Sequence, residues 1–454
     1  MNVCIGTLMN FAQALSYLLS LGHETLTIKL GLENTETLLE ALGNPQRQYP
    51  AVQLAGTNGK GSTAAFLDSI CRAAKIRTGL FTSPHLISIT ERIRIAGESI
   101  TEEDFARLTS IVRRTAETLV SEGKLETLPT FFEHVTAIAL LAFREAQVEL
   151  AILETGLGGR LDSTTAARAE VVAITPVAMD HEEYLGHTIE EIAAEKAAII
   201  RPGVTAIVGP QYERAFHVIL ARCEALGLKP KFIRVEAVEI IDRSPHGRLT
   251  IDFLTGDDHY ENVRLGLRGQ HQVTNALVAV ALAEALRERG WEISREAIVQ
   301  GLEDAKHPGR LELWAGRPLI LFDGAHNPDS ARALREYLDR FVQERITMIF
   351  GAMRDKRLDE MARLLFPKAH ELILTEIDNP RAASIEELRT QLPAERDKSS
   401  VHESRAVRNA LRIARELAST AGLIVITGSL HLVGEAQQIL QTESSRLPEH
   451  KVQH

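Results

Sequence analysis

The chain has 454 residues, 44% of them hydrophobic, and a length of this order is typical of two or three globular domains. Its formal net charge of −10 argues against sequence-independent binding to a nucleic-acid backbone, because such binding depends on a dense basic surface. The three cysteines, Cys4, Cys71 and Cys223, are too widely spaced for a disulfide framework or a metal site, and they favour a reducing, cytoplasmic location.

The beginning of the chain predicts neither a secretory signal nor a membrane span. The first 28 residues contain no Lys or Arg, and no apolar run approaches membrane-spanning length. From Met9 the sequence NFAQALSYLLSLG follows, with the period of an amphipathic helix. We therefore interpret residues 1–8 as a leader that an upstream start codon would add.

Short apolar runs rich in β-branched residues then alternate with helical patterns. The runs are AVQLAG (51–56), TGLFTS (78–83), ELAILETG (149–156), EVVAIT (170–175) and TAIVGP (205–210). This alternation predicts a mostly parallel sheet covered by helices. Between residues 248 and 267, two alternating runs around a Gly-Asp-Asp turn predict a hairpin that flanks the main sheet.

The turn GTNGKGS (56–62) lies between a buried strand and a helix that we expect to begin at Ser62. Backbone amides and a helix N-terminus would face this turn, a geometry that binds phosphate. Its glycine spacing does not match the common P-loop, so a glycine turn with a solvated lysine is the alternative. Strand, loop and helix together favour phosphate. A dinucleotide site in TGLGGRLD (155–162) is rejected because Leu161 replaces the third glycine.

Polar residues follow the ends of several predicted strands: Ser83, Glu154, Asp180 and His181. Ligands of open α/β sheets gather at the carboxyl ends of strands. Each residue alone is compatible with a structural role in a loop, and for His181 that role is the simpler interpretation. A hydroxyl, a carboxylate and an imidazole around a phosphate loop nevertheless suit Mg²⁺, which would bridge the anionic groups.

The helix predicted after His181 carries a lysine on its apolar face. Thr188 and Glu191 form a capping box, and Lys196 falls on the stripe that follows. The stripe consists of Ile189, Ile192, Ala193, Ile199 and Ile200. Because an unpaired buried charge is costly, Lys196 must pair with a carboxylate, extend to the edge of the stripe, or change its chemistry.

A second domain is predicted from residue 306, where His-Pro-Gly interrupts the pattern and a new β/α series begins, giving domains 1–305 and 306–454. Its strands are predicted in PLILFDG, ITMIFGA, ELILTEI and GLIVITGS. Arg310, Asp323 and His326 would form the second wall of the nucleotide site, next to a helix that begins at Pro328. The polar tail 442–454 predicts disorder.

Seven motifs occur together and in order along the chain. They are AGTNGKGST (55–63), TSPHL (82–86), LETGLGGRLDSTT (153–165), MDHEEYLGHTIEEIAAEKAAI (179–199), HPGRLE (307–312), FDGAHNP (322–328) and ITGSLH (426–431). Over residues 20–436 the chain resembles the folylpolyglutamate synthase and dihydrofolate synthase branch of the Mur ligase family. The resemblance implies an α/β fold, with a P-loop-like ATPase domain on a mostly parallel sheet and a smaller, Rossmann-like C-terminal domain.

The resemblance also implies an activity: an ATP-dependent amide ligase phosphorylates a substrate carboxylate, and the amine of L-glutamate then attacks the acyl phosphate. It implies catalytic roles for Lys60, Glu154, His181 and Lys196. It implies that the nucleotide is bound by Thr57, Asn58, Gly59, Lys60, Gly61, Ser62, Asn275, Arg310, Asp323 and His326. One Mg²⁺ would bind Ser83 and Glu154, a second would bind Glu154 and His181, Lys196 would be carbamylated, and a monovalent cation would be present.

The substrate regions are less defined. Phe131, Phe132 and Asp162 lie in stretches that resemble the family's pterin-binding region, although both phenylalanines are also compatible with a core position. The stretch GAMRDKRLDEM has Arg357 where many relatives carry an acidic residue, which leaves the glutamate contacts of the second domain open.

Three functions are compared. The first is a folate ligase with one or both activities, acting on dihydropteroate or folates, L-glutamate and ATP as a cytoplasmic monomer without nucleic-acid or membrane partners. A Mur-type peptidoglycan ligase is the second, and the short run of about 50 residues before the phosphate loop leaves little room for a sugar-nucleotide domain. The third is a regulatory nucleotide-binding module without ligase activity, against which Lys60, Glu154, His181 and Lys196 argue.

Overall fold

The computed structural model describes residues 8–22, 31–235, 238–256 and 258–446. All of the predicted leader except residue 8 lies outside the described residues, as does the tail from residue 447. The prediction of disorder is wrong for residues 442–446, because they continue the last helix to Arg446. Glu443 on that helix pairs with Arg408 at 3.1 Å and with Arg415 at 2.9 Å, which holds the end of the helix in place. No helix in the described ranges is long and apolar enough to cross a membrane.

The first part of the chain contains helices and strands in alternation. Up to residue 154 they are α1 (Phe11–Ser20), α2 (Glu33–Ala41), β1 (Ala51–Ala55), α3 (Lys60–Ala73), β2 (Thr78–Phe81), β3 (Ile93–Ile95), β4 (Glu98–Ser99), α4 (Glu102–Ser121), α5 (Phe131–Glu145) and β5 (Leu150–Glu154). From there to residue 304 they are β6 (Val171–Ile174), α6 (Glu182–Leu185), α7 (Ile189–Ala197), β7 (Thr205–Val208), α8 (Glu213–Ala225), β8 (Lys231–Phe232), β9 (Val238–Arg243), β10 (Arg248–Leu254), β11 (His259–Arg268), α9 (His271–Glu288) and α10 (Arg295–Asp304).

An eight-stranded sheet in the order β4-β3-β2-β5-β1-β6-β7-β8 forms the centre of this part. Strands β2, β5, β1, β6, β7 and β8 are parallel, and β3 and β4 run antiparallel at one edge. Alternate residues of β1 face opposite cores: Val52 and Leu54 pack beneath α3, α9 and α10, whereas Ala51 and Ala55 face the side of α4 and α5. The predicted mostly parallel sheet covered by helices is confirmed, and the structure places helices on both of its faces.

The predicted hairpin is also confirmed, as β10 and β11, but it belongs to a separate sheet. Strand β9 pairs with β10 and completes an antiparallel sheet of three strands. Leu249, Ile251 and Val263 on its inner face are fully or almost fully buried in the same core as α9 and α10. This small sheet therefore covers the helices rather than extending the central sheet.

The second part is a smaller α/β unit. Its elements are β12 (Glu312–Trp314), β13 (Leu319–Asp323), α11 (Pro328–Phe341), β14 (Ile346–Phe350), α12 (Leu358–Leu365), β15 (Glu371–Thr375), α13 (Ile385–Arg389), β16 (Val401–Ser404), α14 (Val407–Leu417), β17 (Leu423–Thr427) and α15 (Leu430–Arg446). The sheet order is β12-β13-β17-β14-β15-β16, and only β12 runs antiparallel. The predicted α/β fold class is confirmed. The domain boundary at 305/306 stays a prediction, and it falls in the connection between α10 and β12.

Candidate active site

The phosphate loop connects β1 to α3. The helix begins at Lys60, two residues before the predicted start at Ser62, because Gly59 at φ 89° turns the chain directly into the helix. A Cβ at Gly59 would lie 2.3 Å from Asn275 Oδ1, so glycine is needed both for the turn and for the close approach of α9. The amides of the first helical turn have no partner within the helix, and the residues that carry them line the adjacent cavity.

Lys60 is folded back over the loop that precedes it. Its Nζ donates to the carbonyl oxygens of Gly56 at 3.1 Å and Thr57 at 3.3 Å. Thr57 Oγ1 is bonded to the backbone of Ala178 at 3.0 Å, and the Thr57 amide donates to Pro176 O at 3.0 Å. The loop is thus braced against the segment that follows β6, with a cationic nitrogen beside the helix N-terminus.

Glu154 ends β5 and is 5% exposed. Its Oε2 accepts a hydrogen bond from the Ser83 amide at 3.2 Å, and a Cβ at Gly61 would lie 3.3 Å from the same oxygen. Burial raises the pKa of Glu154, and the neighbouring Lys60 opposes that rise. The carboxylate therefore faces the first turn of α3, where an additional cation would compensate its burial.

This arrangement fits a magnesium ion bound with phosphate. Among the described residues no group of three or more His, Cys, Asp or Glu side chains is gathered as a metal cluster. Mg²⁺ commonly uses only one or two carboxylates and completes its shell with substrate phosphates and water. A single buried carboxylate beside a phosphate loop is a donor set of that kind.

Lys196 lies on α7, as predicted, and is only 4% exposed. The predicted capping box at the start of α7 is formed by Thr188 and Glu191. Lys196 Nζ donates to Gly56 O at 2.9 Å. Within the described parts of the chain, no carboxylate lies within 4.0 Å of this nitrogen, so the ion-pair interpretation does not hold. Burial, followed by the proximity of Lys60, lowers the pKa of Lys196 to about 7.

Asp180 and His181 follow β6 and meet the second domain. Lys356 Nζ lies 2.7 Å from Asp180 Oδ1, and Asn327 Nδ2 donates to Asp180 Oδ2 at 3.2 Å. Burial alone would raise the pKa of Asp180, but the Lys356 ammonium, together with His181 and His326, outweighs burial and lowers the pKa. Burial lowers the pKa of His181 to about 4, so near neutral pH its imidazole is uncharged and able to bind a metal.

Arg310, Asp323 and His326 line the other side of the cleft. Asp323 accepts hydrogen bonds from the amides of Leu311 at 3.0 Å and Ala325 at 3.1 Å, and burial raises its pKa to about 6. His326 Nδ1 lies 2.8 Å from Gly324 O, and burial lowers its pKa to about 4. The helix after this turn begins at Pro328, as predicted.

A cavity of about 480 Å³ lies between the two parts of the chain. All of the predicted nucleotide and metal residues line it, namely Thr57, Asn58, Gly59, Lys60, Gly61, Ser62, Ser83, Glu154, His181, Lys196, Asn275, Arg310, Asp323 and His326. The structure therefore brings together side chains that are more than 260 residues apart in sequence. Their functional roles stay predictions, while their common location is observed.

A second cavity of about 250 Å³ adjoins the first, and both are lined by Ser83 and His181. Phe132 and Asp162 line this second cavity, whereas Phe131 is buried in the core. The Asp162 carboxylate accepts hydrogen bonds from the backbone amides of its own loop, including Gly156 at 2.8 Å. Asp162 thus holds the loop that forms the wall, and its contact with a substrate stays a prediction.

Among the residues at the first cavity that were not predicted, His307 and Gln272 contact a predicted one. Both contact Ser62 Oγ, His307 through Nδ1 at 3.1 Å and Gln272 through Nε2 at 3.3 Å. His307 belongs to the quoted HPGRLE motif, but a loop residue gives no sequence signal for the direction of its side chain. Gln272 lies in the first turn of α9, before the apolar period of that helix begins.

Comparison with known proteins matches both parts of the chain. Residues 54–283 match the Mur ligase middle domain, and residues 309–430 match the glutamate ligase domain of Mur ligases. Dihydrofolate synthase/folylpolyglutamate synthase of Bacillus subtilis is 34% identical over 420 residues, which cover 91% of this chain and 96% of the relative.

Solved structures show the same likeness. Mycobacterium tuberculosis folylpolyglutamate synthase complexed with ADP superposes with a TM-score of 0.87 at 30% identity, over 95% of this chain and 98% of the other. A bifunctional folylpolyglutamate synthase/dihydrofolate synthase with Mn, AMPPNP and L-glutamate bound gives a TM-score of 0.81 at 31% identity, over 95% and 98%. With two family matches in order and near-complete coverage, this chain belongs to the folylpolyglutamate synthase/dihydrofolate synthase branch of the Mur ligase family.

Proposed function

We propose that the chain is an ATP-dependent ligase that forms an amide between L-glutamate and the carboxylate of dihydropteroate, of a folate, or of both. The observation that carries the proposal is the junction of the two cavities. The first holds the phosphate loop with Lys60 and Glu154, and it meets the second, which is lined by Phe132, at Ser83 and His181. A nucleotide phosphate and an aromatic carboxylic acid would meet at that point.

The reaction would proceed in two balanced steps. A carboxylate oxygen of the acceptor attacks the terminal phosphorus of ATP, and ADP leaves. The amine of glutamate then attacks the acyl carbon, phosphate leaves, and the amine loses a proton. No protein nucleophile is needed, since the work of the site is to bring two anions together and to neutralise their charge.

The chain's own residues divide this work. Lys60 and the first-turn amides of α3 would bind the phosphates, and Ser62, Asn275, Arg310, Asp323 and His326 would contact the nucleotide. Ser83 with Glu154, and Glu154 with His181, would hold two Mg²⁺ ions. When bound, these ions neutralise the phosphate oxygens and polarise the phosphorus that is attacked. A relative solved with Mn and AMPPNP supports the divalent metal.

The amino acid would bind from the side of the second domain. Lys356 and Arg381 line the second cavity close to His181 and provide positive charge for carboxylates. L-glutamate is present in a solved relative, which supports this assignment of substrate. Phe132 supplies an aromatic face, against which a pterin ring would stack.

We also propose that Lys196 is carbamylated. Its neutral amine is favoured by burial and is the form that adds CO₂, with loss of one proton, to give an anion. That anion would lie near Lys60, whose positive charge lowers the cost of a negative charge at this position. The monovalent cation and the monomeric state remain proposals based on the resemblance, and the cytoplasmic location remains a proposal based on the cysteine usage.

The test is ADP release by the purified protein with Mg²⁺ and L-glutamate, with dihydropteroate or tetrahydrofolate added separately. Stimulation by both acceptors, with matching glutamyl amides, establishes a bifunctional enzyme, and stimulation by one identifies a single activity. Turnover that responds only to a UDP-sugar peptide would instead identify a peptidoglycan ligase. Binding of ATP without stimulation by any acceptor would favour a regulatory module.

A further inference from the structure

His307 lies in the segment that connects α10 to β12, and its ring forms part of the wall of the nucleotide cavity. Its Nδ1 is 3.1 Å from Ser62 Oγ. The ring also lies against Gly61, where a Cβ would be 2.8 Å from His307 Cε1 and 3.2 Å from Nε2. The connection between the two domains therefore contacts the first turn of α3 beside the phosphate site.

Ser62 is also held from α9. Gln272 Nε2 donates to Ser62 Oγ at 3.3 Å, and Gln272 Oε1 accepts from Asn275 Nδ2 at 2.9 Å. Ser62 is only 4% exposed, so water has little access to its hydroxyl. A hydroxyl has one proton and two lone pairs, so these two partners leave one position on Oγ for a ligand in the cavity.

Either tautomer of the His307 imidazole fixes the hydroxyl in a defined orientation. When Nδ1 is the acceptor, the Ser62 proton points to His307 and one lone pair is left for a cation. When Nδ1 carries the proton, both lone pairs are occupied and the hydroxyl proton is left to donate to a phosphate oxygen. Without His307 the hydroxyl would rotate, and its orientation toward the nucleotide would have to be fixed on binding.

We propose that His307 is a positioning residue for the nucleotide phosphates and that it acts through the Ser62 hydroxyl. The inference rests on the proposed function only in taking ATP as the nucleotide. Because His307 belongs to the connecting segment and Ser62 to α3, the same contact ties the phosphate site to the position of that segment.

The first test compares three substitutions at one position. His307→Leu removes both nitrogens, His307→Asn places an amide near Nδ1, and His307→Gln places its amide nearer Nε2. Loss of one buried hydrogen bond predicts that the Leu and Gln variants bind Mg-ATP and ADP about five- to tenfold more weakly, with a similar loss in kcat/KM for ATP. The Asn variant should recover most of that loss, while KM for glutamate stays unchanged. His217→Leu, on the exposed side of α8, is the control.

The second test asks whether the effect passes through Ser62. In a Ser62→Ala background, His307→Leu should weaken nucleotide binding little further, because the contact is already gone. Additive losses, unchanged affinity in the Leu and Gln variants, or an Asn variant no better than Leu would each overturn the proposal. Thermal denaturation identifies any variant that does not fold, and the Gln variant then replaces Leu.

Calorimetric titration with ATP or ADP needs no acceptor, so it separates this inference from the proposed function. A wild-type protein that binds ATP but forms no glutamyl amide would contradict the proposed function. The same protein would still support the role of His307 if the Leu variant bound ATP more weakly.

Discussion

The Lys196 side chain is buried on an apolar helix face, and its nitrogen meets the carbonyl oxygen of Gly56. A carbonyl oxygen compensates only part of the cost of burying an ammonium ion. Burial lowers the pKa of Lys196 to about 7, so at physiological pH the side chain is a neutral amine in a large fraction of the molecules. A lysine in this condition is suited to a reaction with CO₂ and poorly suited to a purely structural role.

Replacement of this lysine tests the carbamate directly. Lys196→Ala should lose most of the ligase activity, and added bicarbonate should not restore it, because no amine remains to be carbamylated. In the wild type, removal of CO₂ should lower activity and bicarbonate should restore it. Wild-type turnover in the alanine variant would contradict the role.

Stability should also depend on pH through this residue. From about pH 7 to the ordinary lysine value near 10.5, the unfolded chain binds a proton at Lys196 that the folded chain does not. The free energy of unfolding therefore rises with pH, by up to about 1.4 kcal/mol per pH unit for one proton. The Lys196→Met variant has no group at this position that binds a proton, so this contribution is absent from it. In buffers without CO₂, the wild type should gain stability relative to the variant from pH 7 to pH 9, and parallel curves would contradict the shift.

For single residues, the sequence predicts which polar side chains reach the site when they stand at or just after the end of a parallel strand. Glu154 ends β5, and Ser83 and Asp180 follow β2 and β6, so the position of each at one edge of the sheet follows from topology. His307 and Gln272 were missed because their side-chain directions depend on how the connecting segment and α9 pack against α3. That packing is tertiary and has no local period.

Among the elements, the phosphate loop and α3 are tightly constrained at their glycines. A Cβ at Gly61 would lie 2.8 Å from the His307 ring and 3.3 Å from the Glu154 carboxylate. Gly61→Ala should therefore displace one of these groups and lower kcat/KM for ATP by at least about tenfold, which corresponds to 1.4 kcal/mol. Steady-state kinetics and nucleotide titration measure the effect.

Gly256 provides a matched control for that substitution. A Cβ there meets no atom within 4 Å, and its φ lies outside the left-handed region. Gly256→Ala should leave both activity and nucleotide affinity unchanged. Equal kinetics of the Gly61→Ala variant and the wild type would show that the loop does not need the close approach of His307.

Several of the strands predicted from sequence, namely β1, β5, β14 and β17, lie in the interior of the sheets, where every residue is buried and the apolar run is continuous. The hairpin strands β10 and β11 were predicted instead from their alternating pattern and the turn between them. The strands that were missed are β3, β4, β8, β9, β12 and β16. Most of them lie at or next to a sheet edge and are partly exposed, so their composition is mixed and their apolar pattern is weak.

In the whole molecule, the two domains meet through polar pairs around the cleft. In the buried part of the cleft, Lys356 contacts Asp180. At the partly exposed margin of the cleft, Arg357 Nη2 lies 2.7 Å from Glu182 Oε1. Arg357 thus pairs with an acid of the opposite domain. An exposed pair of this kind contributes about 0–1 kcal/mol, so its main effect is on the position of the domains.

Reversal of this charge should open the cleft. Arg357→Glu places two carboxylates together, and we expect a severalfold lower kcat with a higher KM for the acceptor. The exchange Glu182→Arg/Arg357→Glu should restore much of the activity. Arg363→Glu is the control and should be silent, because Arg363 is an exposed residue of α12 that pairs with Asp359 of the same helix. No recovery in the exchanged variant would show that the pair does not hold the domains.

The two-domain organisation was predictable because each half has its own β/α series, but the placement of one half on the other was not. The contacts that define it join residues such as Asn58 and Asn327, whose side chains are 3.1 Å apart, and neither lies in a periodic pattern. The polar residues that follow the first strands of the second domain, together with the resemblance to a family, indicated that the nucleotide site is shared between the domains.

The central claim is that an acceptor carboxylate is phosphorylated before glutamate attacks it. The most direct measurement uses an acceptor with ¹⁸O in that carboxylate, together with ATP, Mg²⁺ and L-glutamate, and determines the mass of the phosphate and of the amide. The account predicts one ¹⁸O atom in the phosphate and one retained in the glutamyl amide. Amide formation with unlabelled phosphate would contradict an acyl phosphate, and labelled acceptor recovered without any amide would contradict the ligase.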